Sequence, residues 1–132
     1  MNMRVTVIVV NAGEILMIRR VKNGEEYFVF PGGGVEEGES PEEATFRELL
    51  EETSTAAEVI EPLCAYLNRG RLEKYYRTDF AGNRADMKIA GPEEGRQSAD
   101  NVYELVWVSP EKLASLEVRP AFMRDWIVKR GV

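Results

Sequence analysis

Residues 32–55 read GGGVEEGESPEEATFRELLEETST: a glycine run, an acidic turn, and then the marks of a helix start. Ser40 stands as N-cap, Pro41 takes the first helical position, and Glu43 closes a capping box three residues after Ser40. The pattern predicts a helix over residues 41–53. From Glu36 to Glu52 there are eight glutamates and one basic residue, Arg47, a local charge of −7 in a chain whose net charge is −6. The remainder is close to neutral, so the acidity is local.

Turning about 100° per residue brings Glu48, Glu51 and Glu52 within an arc of roughly 100°, with Phe46, Leu49, Leu50 and Thr53 opposite. Two readings compete. In the first, an amphipathic helix lays its apolar side on the core and its glutamates in water. In the second, the glutamates face a cation. Like charges three or four residues apart each oppose the helix by about 0.2–0.5 kcal/mol unless a cation offsets them. A glycine turn just before the helix lets backbone approach a ligand. Mg²⁺ takes oxygen ligands, keeps several waters, and is usually held by one or two carboxylates plus substrate phosphates. The cluster therefore predicts a metal bridge to a diphosphate.

Around this segment the chain reads as strands. Arg4 to Val10 and Ile15 to Arg20 form a hairpin about Asn11-Ala12-Gly13-Glu14, with both faces at least partly covered. Tyr27 to Phe30 is a short aromatic strand stopped by Pro31. Ala57 to Ile60 and Leu63 to Asn68 read as extended pieces broken by Pro62, and Lys74 to Ala81 as a strand paired with the one before it. Residues 82–101 form the longest loop, and loops of that length are usually functional or mobile. Val102 to Val108 is a further strand, Ser109-Pro110-Glu111 caps a short helix, and Arg119-Pro120 opens a terminal one carrying Phe122, Met123, Trp126, Ile127 and Val128. Interspersed strands and helices imply an α/β/α sandwich with a mixed central sheet.

Composition narrows the chemistry. The 132 residues, 44% hydrophobic and 30% charged, suit a single domain over residues 1–132. No apolar run is long enough to span a bilayer, and no signal peptide is read at the start. The one cysteine, Cys64, reads as a small buried hydrophobe and suits the cytoplasm. The absence of histidine rules out Ser-His and Cys-His nucleophiles and His-ligated zinc within the chain. Net negative charge argues against a nucleic-acid polymer as partner, whose phosphates call for clustered Lys and Arg.

The spacing then meets a known signature. Gly33, five residues, Glu39, seven residues, Arg47-Glu48-Leu49, one residue, Glu51-Glu52 resembles the motif of the Nudix hydrolases, which cleave a nucleoside diphosphate linked to a further group. Every charged position is matched. The departures are Ser54 and Thr55, where the family carries glycine and an aliphatic residue. A left-handed cap at Ser54 would be disfavoured by roughly 1 kcal/mol relative to glycine. Phe30-Pro31-Gly32-Gly33-Gly34 and Trp107-Val108-Ser109 extend the likeness over nearly the whole chain.

The resemblance implies Mg²⁺, or Mn²⁺ in its place, held by Glu48, Glu51 and Glu52 with the Gly32 carbonyl as a further ligand. It implies that Glu39 and Arg47 orient the helix. The general base stays open among Glu52, Glu48 and the loop pair Glu93 and Glu94. Arg19 and Arg20 are candidates for phosphate, and Tyr27 for stacking on a base. The expected substrate is a small nucleotide, a (deoxy)nucleoside triphosphate ahead of ADP-ribose or a dinucleoside polyphosphate, with a sensing domain that binds without turnover as the other class. No membrane partner is expected, and a homodimer is left open.

Overall fold

Val5 to Val10 are buried without interruption, as expected of a strand covered on both faces. This strand, β1 (Met3–Asn11), lies inside a mixed sheet in a computed structural model that describes residues 2–57, 59–89, 98 and 100–131. The other strands are β2 (Glu14–Lys22), β3 (Glu25–Val29), β4 (Gly32–Gly34), β5 (Glu61–Asn68), β6 (Arg71–Asp79), β7 (Asn101–Val108) and β8 (Val118–Arg119). The main path runs β5-β6-β1-β2-β3-β8. β6 joins β1 in parallel along almost its whole length, from Met3↔Leu72 to Val10↔Asp79. β1 and β2 pair only at Val10↔Ile15 and Asn11↔Glu14. Beyond that point they part, β1 taking β4 at Arg4↔Gly34 to Thr6↔Gly32, while β2 pairs with β3 and β7. The sheet is a fork, and the glycine strand lines its open side.

Helices cover both faces. α1 (Pro41–Thr53) sets Leu49 against Val7, Val9 and Leu16, and Ala44 against Val5 and Tyr76. On the other face α2 (Pro110–Leu113) and α3 (Ala121–Arg130) bring Leu113, Met123 and Ile127 onto Ile8, Val10, Ile15, Met17 and Tyr75. The architecture is the α/β/α sandwich with a mixed sheet that the sequence implies. Among the described residues no helix is long and apolar enough to cross a membrane.

Several local expectations change. Gly32 to Gly34 is a strand, not a turn, because the backbone of β1 supplies its hydrogen-bond ladder. β6 begins at Arg71, three residues earlier than the pattern suggested, and β5 runs through Pro62 with a register shift between Pro62 and Cys64, tolerable on an edge strand. Ala57 lies outside any strand. Ser54 adopts the left-handed cap after all, at φ 61°, with its N–H donating to the Leu50 carbonyl and its hydroxyl to the Lys88 carbonyl at 3.0 Å.

The largest change concerns the sides of α1. Leu49 is 1% exposed, but Leu50 is 53% exposed and Glu52 only 7%. The inward arc holds Ala44, Thr45, Leu49, Glu52 and Thr53, so the apolar side read from the sequence is partly in solvent and one acidic residue is inside. Periodicity groups residues into faces, and packing decides which face turns inward. Leu49→Ala should therefore lower stability by about 2–5 kcal/mol, and Leu50→Ala should stay within about 0.5 kcal/mol of the parent in urea unfolding.

Candidate active site

β4 carries no side chains, and α1 fills that space with carboxylates. A Cβ on Gly33 would stand 2.7 Å from Glu48 Oε2 and closer still to the rest of that carboxylate, so any other residue would have to push the Glu48 carboxylate aside. The Gly32 N–H donates to Glu52 Oε1 at 3.1 Å. Glu48 and Glu52, one turn apart, thus both meet the glycine strand, while Glu51 sits further out with its side chain 42% exposed. A helix whose glutamates merely solvate it would not seat two of them against the sheet.

Arg47 organises the acids around it. Its Nε and one terminal nitrogen donate to the two oxygens of Glu39 at 2.8 and 2.9 Å, a forked pairing that fixes direction as well as distance. The same guanidinium donates to the Gly34 carbonyl at 2.9 Å and to Glu48 Oε1 at 2.9 Å, and approaches Glu51 at 3.5 Å. Glu39 Oε1 also accepts from the Glu36 N–H at 3.0 Å. The bonds from Arg47, then that from Glu36, hold the Glu39 carboxyl at about 2, well below its ordinary 4.5. These carboxylates push the Arg47 guanidinium further from deprotonation, hydrogen bonding to Glu39 foremost. The Ser40–Glu43 capping box forms, and Glu42, which a surface position would leave in water, accepts from Tyr76 Oη at 2.6 Å, tying the helix start to β6.

The donor set is all oxygen, which suits a hard cation such as Mg²⁺, and the bare glycine opposite Glu48 is a cradle that any side chain would fill. Among the described residues no three acidic or thiol side chains form a ready-made metal cage.

Among the described residues, the other expected site residues are engaged with partners of their own. Arg19 donates to Glu26 at 2.7 Å and approaches Glu104 at 3.5 Å. Arg20 is buried, donates to Asn101 Oδ1 at 2.9 Å and the Val102 carbonyl at 2.8 Å, and lies 3.6 Å over the Tyr103 ring. Tyr27 stacks under the Arg119 guanidinium at 3.9 Å. The contacts of both arginines run to β3 and β7. Glu93 and Glu94 lie outside the described residues. Sequence reasoning missed Glu73, a buried acid on the same face of β6 as Tyr75. The signal was a charged residue in step with inward positions, lost when the strand was started at Lys74.

A domain model described as NUDIX domain matches residues 1–128. The chain belongs to the Nudix family. The RNA pyrophosphohydrolase of Bartonella bacilliformis is 31% identical over 106 residues, 67% of this chain and 61% of that protein. The protein of the same name from Hahella chejuensis is 47% identical over 49 residues, 37% of this chain and 29% of its own length. The match thus spans less than two thirds of either relative. Among solved structures, a MutT from the pair Aliivibrio salmonicida and Vibrio cholerae superposes with TM-score 0.77 at 22% identity, covering 98% of each chain, a likeness of fold. MutT of Methanosarcina mazei Go1 gives TM-score 0.66 at 28% identity, covering 96% of this chain and 90% of that one. The NUDIX domain of Shewanella oneidensis NrtR, in complex with ADP ribose, gives TM-score 0.72 at 17% identity, covering 98% and 88%.

Two outcomes follow from this geometry. Gly33→Ala, which displaces the end of a flexible side chain, should lose about 1 kcal/mol of stability in chemical unfolding, and Gly34→Ala, with open space around its Cβ position, should lose less. Glu39, depressed in the fold, contributes stability fully above pH 4.5, and that contribution is lost as the pH falls towards 2. Unfolding curves of Glu39→Gln should lie below the parent at neutral pH, with the gap closing across that window.

Proposed function

We propose that this chain hydrolyses a pyrophosphate bond in a nucleoside diphosphate linked to another group, a (deoxy)nucleoside triphosphate first among them, with Mg²⁺, or Mn²⁺ in its place. The observation that carries the reading is the Glu48 carboxylate seated in the space of a missing Gly33 side chain. Membership of the Nudix family, the MutT names of structural neighbours and the ADP ribose bound to the NrtR domain support a nucleotide as the ligand. The lone Cys64 and absence of disulfides fit a cytoplasmic enzyme.

In this reading Glu48, Glu51 and Glu52 would hold the ion, with the Gly32 carbonyl beside them. When bound, the ion would neutralise charge on the bridging oxygens and bring water within reach of phosphorus. Arg47 fixes the Glu48 carboxylate through Oε1, and the Gly32 N–H fixes Glu52 through Oε1, so the two acids are oriented before substrate arrives. Glu52 or Glu48 accepts the proton of the attacking water, Glu93 being the alternative from the loop. Products are a nucleoside monophosphate and a phosphate-bearing leaving group.

A panel of nucleoside triphosphates, ADP-ribose, dinucleoside polyphosphates and 5′-triphosphorylated RNA, assayed with Mg²⁺ and Mn²⁺, tests the reading. Metal-dependent release of phosphate or pyrophosphate from a mononucleotide is expected, falling at least about 100-fold in Glu52→Gln. Binding across the panel with no release makes the chain a sensor instead, and turnover of RNA alone moves the substrate to a polymer end.

A further inference from the structure

Across the sheet from the glutamates lies a cavity of about 250 Å³, lined by Arg4, Thr6, Phe30, Glu73, Tyr75 and Arg119 among others. Two polar groups there are left incomplete. Tyr75 is 1% exposed and its hydroxyl has no hydrogen-bond partner among the described residues. Leaving such a group buried and unpaired disfavours the fold, and a ligand that accepts from it would relieve that cost. Glu73, 6% exposed, accepts from Asn68 Nδ2 at 2.9 Å and lies 3.7 Å from Arg71, both on Oε2. No hydrogen bond to its Oε1 is found among the described residues.

The cavity adjoins the candidate site through the glycine strand. Thr6 pairs with Gly32 and Arg4 with Gly34, on the face opposite the one where Gly33 meets Glu48. Gly32 packs directly on the Val5–Thr6 backbone, and Gly34, with open space at its Cβ position, carries no side chain to wall the cavity off. At 250 Å³ it is below the roughly 300–1,000 Å³ that encloses a drug-sized ligand. It suits a base, with the phosphates outside at the carboxylates.

We infer that this cavity selects the base of the nucleotide, and that Glu73 and Tyr75 make it prefer a guanine-type edge. The inference rests on the hydrolase reading for the rest of the ligand. Guanine presents two adjacent donors, the ring N1–H and the exocyclic amino group, beside the O6 acceptor. A buried carboxylate accepts both donors, and a phenol hydroxyl donates to O6. Burial first, then the Glu73 charge, raise the Tyr75 hydroxyl above its ordinary value, so it stays a donor. Adenine would set its bare N1 lone pair against the carboxylate. A flat apolar wall such as Phe30 suits a base read along its edge. A site built to pair with a donor discriminates strongly against a ligand lacking it.

Steady-state kcat/KM for GTP, ITP and ATP should be compared in the parent chain, Glu73→Gln and Tyr75→Phe, beside dissociation constants for GMP and AMP in EDTA. GTP should exceed ATP by at least about tenfold, with ITP, which lacks the amino group, between them. Glu73→Gln, which replaces one of two acceptors by a donor, should bring GTP and ATP within about threefold of each other, and Tyr75→Phe should lower the ratio too. Melting curves of both variants report whether the fold is kept. If either variant fails to fold, the GMP-to-AMP ratio of the parent decides. Equal affinity of the parent for GMP and AMP, or a ratio unmoved in two folded variants, overturns the inference. Tighter GMP binding with no hydrolysis of any triphosphate would leave the inference standing and overturn the hydrolase reading; hydrolysis without base preference would do the reverse.

Discussion

One guanidinium holds the candidate site in shape. Arg47 binds both oxygens of Glu39, one oxygen of Glu48 and the carbonyl of Gly34, so a single side chain joins the loop before α1, the helix itself and the glycine strand. Without it, α1 would carry closely spaced acids with nothing to offset their repulsion, one of them on the packed side. A half-buried pairing of this kind adds less to stability than its distances suggest, because both partners give up water. Its effect is on geometry: the fork admits few orientations, so Glu48 is delivered to the space above Gly33 and nowhere else. The Glu52 bond to the Gly32 N–H repeats this one turn further along. What the ligand meets is therefore set by a rigid seam between helix and strand.

The sheet divides the work between its faces. On the α1 side the missing side chain of Gly33 makes room for the Glu48 carboxylate. On the other side its neighbour β1 walls a cavity together with β6, Phe30 and the segment through β8. Because successive residues of a strand point to opposite faces, Val5 packs under α1 while Arg4 and Thr6 serve the cavity. Three glycines in a row would be a weak strand by themselves. Here the adjacent β1 backbone supplies the ladder, and weakness of side-chain packing becomes access.

Helix α1 was legible to its last residue because its boundaries are written locally, in Ser40, Pro41, Glu43 and the end of the periodic run. Its orientation was not. Leu50 turns to solvent and Glu52 seats against β4, and the hydrophobic period cannot register that the facing strand is bare glycine. β4 itself was hidden for the same reason, since glycine carries no strand preference and its partner is some thirty residues away in the chain. The metal-helix candidates were readable from spacing. Glu73 and Tyr75 were not, because their meaning arises only where β6 lies beside β1 and the chain near Pro120 closes over them. Ser54 is a different case: the departure from glycine was visible, but not the Lys88 carbonyl that its hydroxyl reaches.

The parallel pairing of β1 with β6 also sets a timetable. Met3 waits for Leu72 and Val10 for Asp79, and no shorter loop can substitute for that partner. This apolar strand is thus made well before the strand that covers its edge, and such long-range contacts form slowly. During synthesis, residues 5–10 must remain unpaired on one edge until the whole of α1 and β5 has emerged. The strand that anchors the finished protein is for that interval its most exposed adhesive edge, and the acidic stretch that follows it offers a ready source of repulsion between nascent chains.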